Sequence, residues 1–157
     1  MEINNYQKLF GVGPLGLAIS LVLLGLFWLL DKGLSHVKIL TRSTPVKIAG
    51  LIFIVLELCW HAWCIRTLRG WWKDNRLCTT GPYRFVRHPI YAGGVLLGLL
   101  GVSLLFNSWI VLLAPVVAYP AYFLLVRKEE EMMASVFGEE YKRYAARTGR
   151  LFPRLFG

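Results

Sequence analysis

The sequence predicts an all-α integral membrane protein with about four transmembrane helices in a single domain, residues 1–157. The composition is the first observation: 56% of the residues are hydrophobic and 17% charged, against about 45–50% and 25% in soluble proteins. The other two observations are four long apolar stretches and an uneven distribution of basic residues. Such a chain is too apolar to be disordered, and a small soluble domain could not bury so much apolar surface.

Each apolar stretch is close to the length that a membrane crossing requires, since a bilayer core about 30 Å thick needs about 20 residues of helix. The predicted spans are residues 9–30, 48–65, 90–106 and 109–126. The first is expected to be retained, because it is too long for the apolar region of a signal peptide and no small-residue cleavage site follows it. Asn107 and Ser108 alone separate the last two spans, which predicts a tight antiparallel hairpin.

Basic residues indicate the orientation. If all four spans cross, the N-terminus, the loop 66–89 and the tail 127–157 lie on one side and hold 14 of the 18 Lys and Arg residues. The positive-inside rule places that side in the cytosol, with both termini, and the cytoplasmic (inner) membrane is the expected location. This topology accounts for the net charge of +9, so we expect no nucleic-acid partner.

The three cysteines, Cys59, Cys64 and Cys78, contain no C-x-x-C pair, so a disulfide framework or a cysteine zinc site is not expected. Glu57 lies within the second span, with His61 one turn later. A carboxyl group inside a membrane normally faces protein or water. Glu57 either pins helices together or contacts a substrate, and these residues offer too few ligands for a metal.

Two polar segments, residues 75–91 and 127–153, carry most of the chemically versatile side chains. Pro89 suits the first turn of a helix, which places Arg87 and His88 at the membrane surface beside its N-terminus. Free N–H groups there favour an anion such as a carboxylate. A second interpretation is that Arg87, His88 and Tyr91 are interfacial anchors.

The tail begins with acidic residues that directly follow the fourth span. Glu129 and Glu130 either form a solvated face or are held towards a cationic ligand. An apolar stripe at helical spacing follows them, and Gly138 is expected to end a helix. The stripe consists of Met133, Phe137, Tyr141 and Tyr144. Within the fourth span, Pro115 and Pro120 could bend the helix and open a lateral entrance from the bilayer.

Two sequence elements resemble a known family. Residues 77–93 read L-x-T-x-G-x-Y-x-x-x-R-H-P-x-Y-x-G, which resembles the signature of isoprenylcysteine carboxyl methyltransferases, and phospholipid N-methyltransferases share its R-H-P-x-Y core. The second element is an acidic pair followed by F-G-x-x-Y-x-x-Y, a basic residue and a proline. It is matched here by Glu129, Glu130, Phe137, Gly138, Tyr141, Tyr144, Arg147 and Pro153. The likeness covers about residues 75–153.

The resemblance implies S-adenosylmethionine as cofactor, bound at the cytosolic face by the loop and the C-terminal helical segment together. The residues that it assigns to cofactor binding are Asn75, Arg76, Leu77, Cys78, Tyr83, His88, Pro89, Ile90, Tyr91 and Glu129. In this scheme His88 and the helix N-terminus would bind the cofactor carboxylate. Glu129 would bind a cationic or hydroxyl group of the cofactor, and the ring of Tyr83 would contact a cation or the adenine ring.

The implied acceptor is a lipophilic small molecule or lipidated group: a prenylcysteine-like carboxylate, a lipid amine or a thiol. Arg87 and Glu130 are the catalytic candidates, with Glu130 as a base for an amine acceptor. Arg127 and Glu57 are the substrate-binding candidates. Where the family often carries an arginine for the substrate carboxylate, this chain has Leu125, and it is about one helix shorter than typical prenylcysteine enzymes.

Two other functions fit parts of this pattern. Membrane sterol reductases have a similar C-terminal half, but they carry H-x-N-Y where this chain has residues 88–91 and Asp-Glu where it has Glu129-Glu130. A non-catalytic membrane subunit would use the basic face to bind anionic lipid, and it would leave the acidic pair without a role. The oligomeric state is open.

Overall fold

The computed structural model describes residues 13–72 and 76–154. Within these ranges the chain is helical and has no β-strand, which confirms the predicted all-α class. Helices α1 and α2 span Gly13–Gly33 and Ser43–Trp72. Helix α3 spans Pro89–Leu105 and α4 spans Leu113–Arg147. A 3₁₀ turn, Gly81–Arg84, lies between α2 and α3.

Two of these helices, α1 and α2, are long and apolar enough to cross a membrane, whereas α3 is shorter. Large apolar side chains cover their outer surfaces, among them Leu17, Leu21, Val22, Leu51, Val55 and Leu58. A surface of this kind is costly in water and suited to lipid. Helices satisfy their own backbone hydrogen bonds, so they tolerate that environment.

The connection between α3 and α4 is longer than predicted. Helix α4 begins at Leu113 rather than at residue 109, so residues 106–112 link the helices and the prediction of a two-residue hairpin is wrong. The Oγ of Ser108 accepts hydrogen bonds from the N–H groups of Ile110 and Val111. These bonds hold the segment in turns, and a run of apolar residues alone does not reveal them.

Helix α4 is interrupted where the sequence predicts it. Gly138 has φ 52° and ψ −125°, a conformation that breaks the helix and that glycine adopts most easily. Of the two prolines expected to bend this helix, Pro115 lies in the first turn, where a missing N–H costs no hydrogen bond. Pro120 lies inside the helix.

The helices pack through small residues. A Cβ at Gly50 of α2 would lie 2.7 Å from the carbonyl oxygen of Gly101 in α3, so the two backbones touch. On the other side, α1 contacts α4, where the hydroxyls of Ser20 and Tyr122 are 3.0 Å apart and Gly16 leaves room for the tyrosine ring. Close backbone approach of this kind is typical of helices packed in membranes.

Hydrogen bonds close one end of the bundle. The buried Asp31 at the end of α1 accepts a hydrogen bond of 2.6 Å from Ser108 Oγ, and His36 Nδ1 lies 2.5 Å from its other oxygen. Asn107 bonds through its side chain to both backbone groups of Leu40. The two polar segments defined above lie at the other end, where α2 ends and α3 begins.

Candidate functional site

The loop before α3 is fixed to the tail that follows α4. The backbone N–H of Arg87 donates to the carbonyl of Gly149 at 2.8 Å, and that of His88 donates to the carbonyl of Arg150 at 3.1 Å. Leu151 is buried against the same core as Val86. The loop and the tail, which the sequence predicts to lie on one side of the membrane, therefore meet at one end of the bundle.

Glu130 is the centre of a charged cluster at this junction. Its Oε1 accepts a 2.6 Å hydrogen bond from Arg87 Nε, and its Oε2 accepts from Arg150 Nε at 2.8 Å. The Nη1 of Arg87 also donates to the carbonyls of Ala145 and Thr148. These bonds tie the loop, α4 and the tail together through one carboxylate.

The neighbours of Glu130 keep it ionised. Burial by itself raises its pKa, but the nearby side chains of His88, Arg150 and Arg87 outweigh burial and hold the pKa well below its ordinary value of 4.5. A carboxylate with so low a pKa is a weak proton acceptor. Its geometry is that of a fixed anion that organises three cationic side chains.

His88 lies between the two carboxylates with only 9% of its side chain exposed. Its Nδ1 is 3.3 Å from Glu129 Oε2 and its Nε2 is 3.5 Å from Glu130 Oε1. Burial opposes protonation, yet the nearby carboxylates of Glu129 and Glu130 outweigh it and raise the pKa of His88 above 6.5. The buried Nε2 makes no hydrogen bond within the described part of the chain.

Glu129 connects α4 to the first turn of α3. Tyr91 donates a 2.7 Å hydrogen bond from its hydroxyl to Glu129 Oε1, and its ring stacks on the imidazole of His88 with centroids 5.9 Å apart. The pair of acids is therefore divided: Glu129 faces Tyr91 and His88, whereas Glu130 faces the arginines.

A cavity of about 100 Å³ opens beside His88. Its walls come from α2, the loop and α4, and they are formed by Leu68, Arg76, Leu77, Cys78, Tyr83, Arg87, His88, Met133, Tyr141 and Tyr144. Small-molecule sites usually measure about 300–1,000 Å³, so a nucleotide-sized ligand would have to displace lining side chains. Among these, Arg76 is exposed, and its guanidinium lies 4.9 Å from the centre of the Trp71 ring.

Aromatic hydroxyls surround this cavity. Tyr144 donates a 2.6 Å hydrogen bond from its hydroxyl to the carbonyl oxygen of Tyr83, which joins α4 to the 3₁₀ turn. Burial raises the pKa of both phenols, and it raises the pKa of Tyr141 to about 12. All three phenols are therefore neutral near pH 7 and keep their hydroxyl protons, which Tyr144 already donates to Tyr83.

The residues assigned to the cofactor fall into groups. Arg76, Leu77, Cys78, Tyr83 and His88 line the cavity. Tyr91 and Glu129 are hydrogen-bonded to each other beside His88.

The other predicted residues are more dispersed. The carbonyl oxygen of Pro89 accepts a 2.8 Å hydrogen bond from Trp60 Nε1, and Ile90 packs against the cluster of Cys64, Cys78 and Tyr83. Asn75 lies outside the described residues. The substrate candidate Arg127 is exposed and does not line the cavity. The substrate candidate Glu57 lies where α2 contacts α3.

Sequence reasoning missed Arg150 and Thr148. Arg150 binds Glu130, and Thr148 supplies a carbonyl to Arg87. The tail holds seven basic residues, and nothing in their spacing distinguishes Arg150; Arg147, which matches the family pattern, is exposed. Among the described residues, no group of three or more His, Cys, Asp or Glu side chains is placed to hold a metal ion.

Comparisons with known proteins identify a family and several relatives. Residues 46–140 match the phospholipid methyltransferase family. The chain is 37% identical over 110 residues to the cobalt-zinc-cadmium resistance protein CzcN of Cupriavidus metallidurans, a match that covers 68% of this chain and 48% of that protein. It is 30% identical over 157 residues to the nickel-cobalt-cadmium resistance protein NccN of Alcaligenes xylosoxydans xylosoxydans, covering 98% of this chain and 69% of the relative.

A third relative carries an enzyme name. The protein-S-isoprenylcysteine O-methyltransferase of Schizosaccharomyces pombe is 34% identical over 73 residues, covering 46% of this chain and 30% of that protein. The chain thus spans about half the length of the first of these relatives and less of the third. No solved structure matches the chain.

Proposed function

We propose, from the premise that the chain belongs to the phospholipid methyltransferase family, that it transfers a methyl group from S-adenosylmethionine to a lipophilic acceptor at the cytosolic face of the membrane. The observation that carries the proposal is the union of the two family elements in one site, where Tyr91 binds Glu129 and Arg87 binds Glu130. The acceptors considered are a prenylcysteine-like carboxylate, a lipid amine and a thiol.

The residues around the cavity fit the chemistry of this cofactor. When bound, S-adenosylmethionine supplies an electrophilic methyl group on a positively charged sulfur. His88 lines the cavity, carries a raised pKa and has a buried Nε2 without a hydrogen bond in the described chain. We assign it the carboxylate of the cofactor, because a protonated imidazole donates a charge-assisted hydrogen bond.

The neighbours of His88 have complementary roles in the proposal. Glu129 is assigned a cationic or hydroxyl group of the cofactor, and the ring of Tyr83 is assigned a cation or the adenine. Arg87 and Glu130 neutralise each other at the base of the site, so we propose that they hold His88 and the loop in place. Glu130 is a poor candidate for general base because its pKa is so low.

Methyl transfer mainly requires alignment of the acceptor with the methyl group and exclusion of water. The polar end of the bundle provides the alignment, since its side chains are fixed by hydrogen bonds from three segments. Exposed apolar residues on α1 and α2 offer a surface along which a lipophilic acceptor could approach from the bilayer.

The decisive experiment uses the purified protein with methyl-labelled S-adenosylmethionine and a total membrane extract. We expect a labelled lipophilic product, which identifies the acceptor. His88→Gln and Glu129→Gln should each weaken cofactor binding, measured by calorimetry on protein whose helix content matches that of the wild type. Unchanged affinity in both variants would refute the assignment of the site.

Binding of reduced nicotinamide in place of S-adenosylmethionine would favour the sterol-reductase interpretation. Binding of anionic lipid without any cofactor would favour a non-catalytic subunit. Both measurements use the same purified protein, so the three functions are separated in one set of titrations.

A further inference from the structure

We infer that Glu57, together with His61, binds a hydrogen-bond-donating group of the methyl acceptor within the membrane, at the contact between α2 and α3. This inference rests on the proposed function, because it assigns the acceptor its own polar site. An amine or a hydroxyl fits such a site, whereas a carboxylate has no proton to donate to the carboxyl oxygen of Glu57.

Glycines of α3 create the space that Glu57 occupies. A Cβ at Gly93 would lie 2.5 Å from Glu57 Oε2, and a Cβ at Gly98 would lie 3.3 Å from Glu57 Cγ. Gly98 lies within a π-helical segment, Gly94–Leu99, which is a rare irregularity that occurs often at functional sites. The carboxyl group therefore rests against helix backbone where side chains would otherwise exclude it.

One oxygen of this carboxyl group has no hydrogen-bond partner among the residues that the structure describes. Glu57 Oε1 is 3.2 Å from Nδ1 of His61, while Oε2 is buried and makes no hydrogen bond to any residue that the structure describes. Buried polar atoms are nearly always satisfied, so each exception calls for a specific explanation. A hydrogen-bond-donating group on a bound methyl acceptor would satisfy Oε2.

The position of Glu57 is close to the candidate cofactor site. Trp60, almost one turn further along α2, donates to the carbonyl of Pro89, the residue after His88. One helical turn rises about 5.4 Å, so a group held at Glu57 lies just beneath the start of α3. An acceptor bound there with its chain among lipids would present its polar end towards the cavity.

The site is open on one side. The side chain of His61 is 42% exposed and that of Glu57 is 12% exposed. The neighbouring Leu56 and Leu58 are exposed apolar residues of the helix surface suited to lipid. A molecule with an apolar chain can therefore reach the pair sideways, and the half-exposed imidazole gives it a second polar contact.

The first test is acceptor binding without cofactor. Purified wild type and Glu57→Gln are heated with a long-chain primary amine, alcohol or carboxylic acid of equal chain length. The amine and the alcohol should raise the melting temperature of the wild type and not that of the variant, since a ligand stabilises the form it binds. Equal shifts by all three amphiphiles, or equal shifts in both proteins, would overturn the inference.

The second test is turnover of the acceptor found with labelled cofactor. Loss of a hydrogen bond to a charged group should lower kcat/KM of Glu57→Gln about tenfold or more, mainly through KM for the acceptor. Affinity for S-adenosylmethionine should stay within about twofold, because the cofactor site is untouched. Full turnover, or an equal loss of cofactor affinity and melting temperature, would show Glu57 to be a structural residue.

Glycine variants keep the test valid if Glu57→Gln does not fold. Gly98→Ala places a methyl group against Glu57 Cγ and should weaken acceptor binding, whereas the Cβ of Gly94→Ala, in the same π-helical segment, meets nothing within 4 Å. Equal acceptor binding in these two variants would contradict the inference. Binding of the amine through Glu57 without any methyl transfer would refute the proposed function and leave this site intact.

Discussion

Glu130 makes the densest set of ion pairs among the described residues, because Arg87, Arg150 and His88 all approach its carboxylate. Each of these groups lost its water on folding and gained a partner. Removing one member of a buried cluster costs more than the cluster itself contributes, since the remaining charges are left buried and unpaired.

We therefore expect Glu130→Gln to destabilise the protein by about 3–5 kcal/mol. Arg87 and Arg150 would keep their positive charges and lose the carboxylate that both contact. Thermal unfolding in detergent measures the effect. Glu131→Gln is the matched control, because Glu131 is exposed beside it; equal melting temperatures in the two variants would contradict this account.

His88 should make cofactor binding depend on pH. Its pKa is raised above 6.5 by Glu129 and Glu130 against the effect of burial. The protonated form that would bind a carboxylate is therefore present at low pH and is lost as pH rises through the raised pKa. Affinity for S-adenosylmethionine, measured by calorimetry, should fall as pH rises through the pKa of His88. A wild-type profile as flat as that of His88→Gln would count against the role of His88.

At the scale of elements, glycines determine how closely the helices approach. Gly50 and Gly101 bring the backbones of α2 and α3 into contact, and Gly93 and Gly98 admit Glu57 to the same interface. In lipid, helix association depends on such van der Waals packing, because burial of apolar surface gives little advantage there.

We expect Gly50→Ala to destabilise the contact between α2 and α3, since its methyl group would lie 2.7 Å from the carbonyl oxygen of Gly101. Overpacking of this kind typically costs about 1–3 kcal/mol. Gly25→Ala in α1 is the control, because a Cβ there meets nothing within 4 Å. The melting temperatures of the two variants in detergent should separate; coinciding values would show that the helices adjust freely.

In helix α4, the sequence predicts the break but not the starting residue. Gly138 marks a break because its positive φ favours glycine, a preference readable from the sequence. The start of α4 was misplaced because Ser108 holds residues 108–112 in turns through its hydroxyl. A serine next to an apolar run gives no sign that it will accept those bonds.

At the scale of the whole molecule, the two ends of the bundle differ in character. One end is closed by Asp31, Asn107 and Ser108, and the other holds the charged cluster and the cavity. We propose that the second end faces the cytosol, because the loop 66–89 and the tail carry most of the basic residues.

Cysteine labelling in intact cells tests this orientation. Arg42→Cys, before α2, and Arg147→Cys, at the end of α4, place exposed thiols at opposite ends of the bundle. A membrane-impermeant maleimide should label only Arg42→Cys until the cells are permeabilised. The wild type, with its native cysteines, gives the background. Labelling of Arg147→Cys from outside would reverse the proposed orientation.

The sequence by itself determined the helical class, the break at Gly138 and the residues of the two polar segments. Those properties follow from local composition, because apolar length, glycine and proline act over a few residues of chain. The family elements also indicated that Glu129 and Glu130 belong with His88 and Tyr91.

The tertiary structure alone determined which side chains contact each other. It selected Arg150 rather than Arg147 for Glu130, and it set Glu57 against the glycines of α3. Among the described residues, none forms a hydrogen bond with Nε2 of His88 beside the cavity. These outcomes depend on which helix faces approach each other at distances of a few ångströms. Such distances arise from the packing of segments far apart in the chain, which no local pattern of residues encodes.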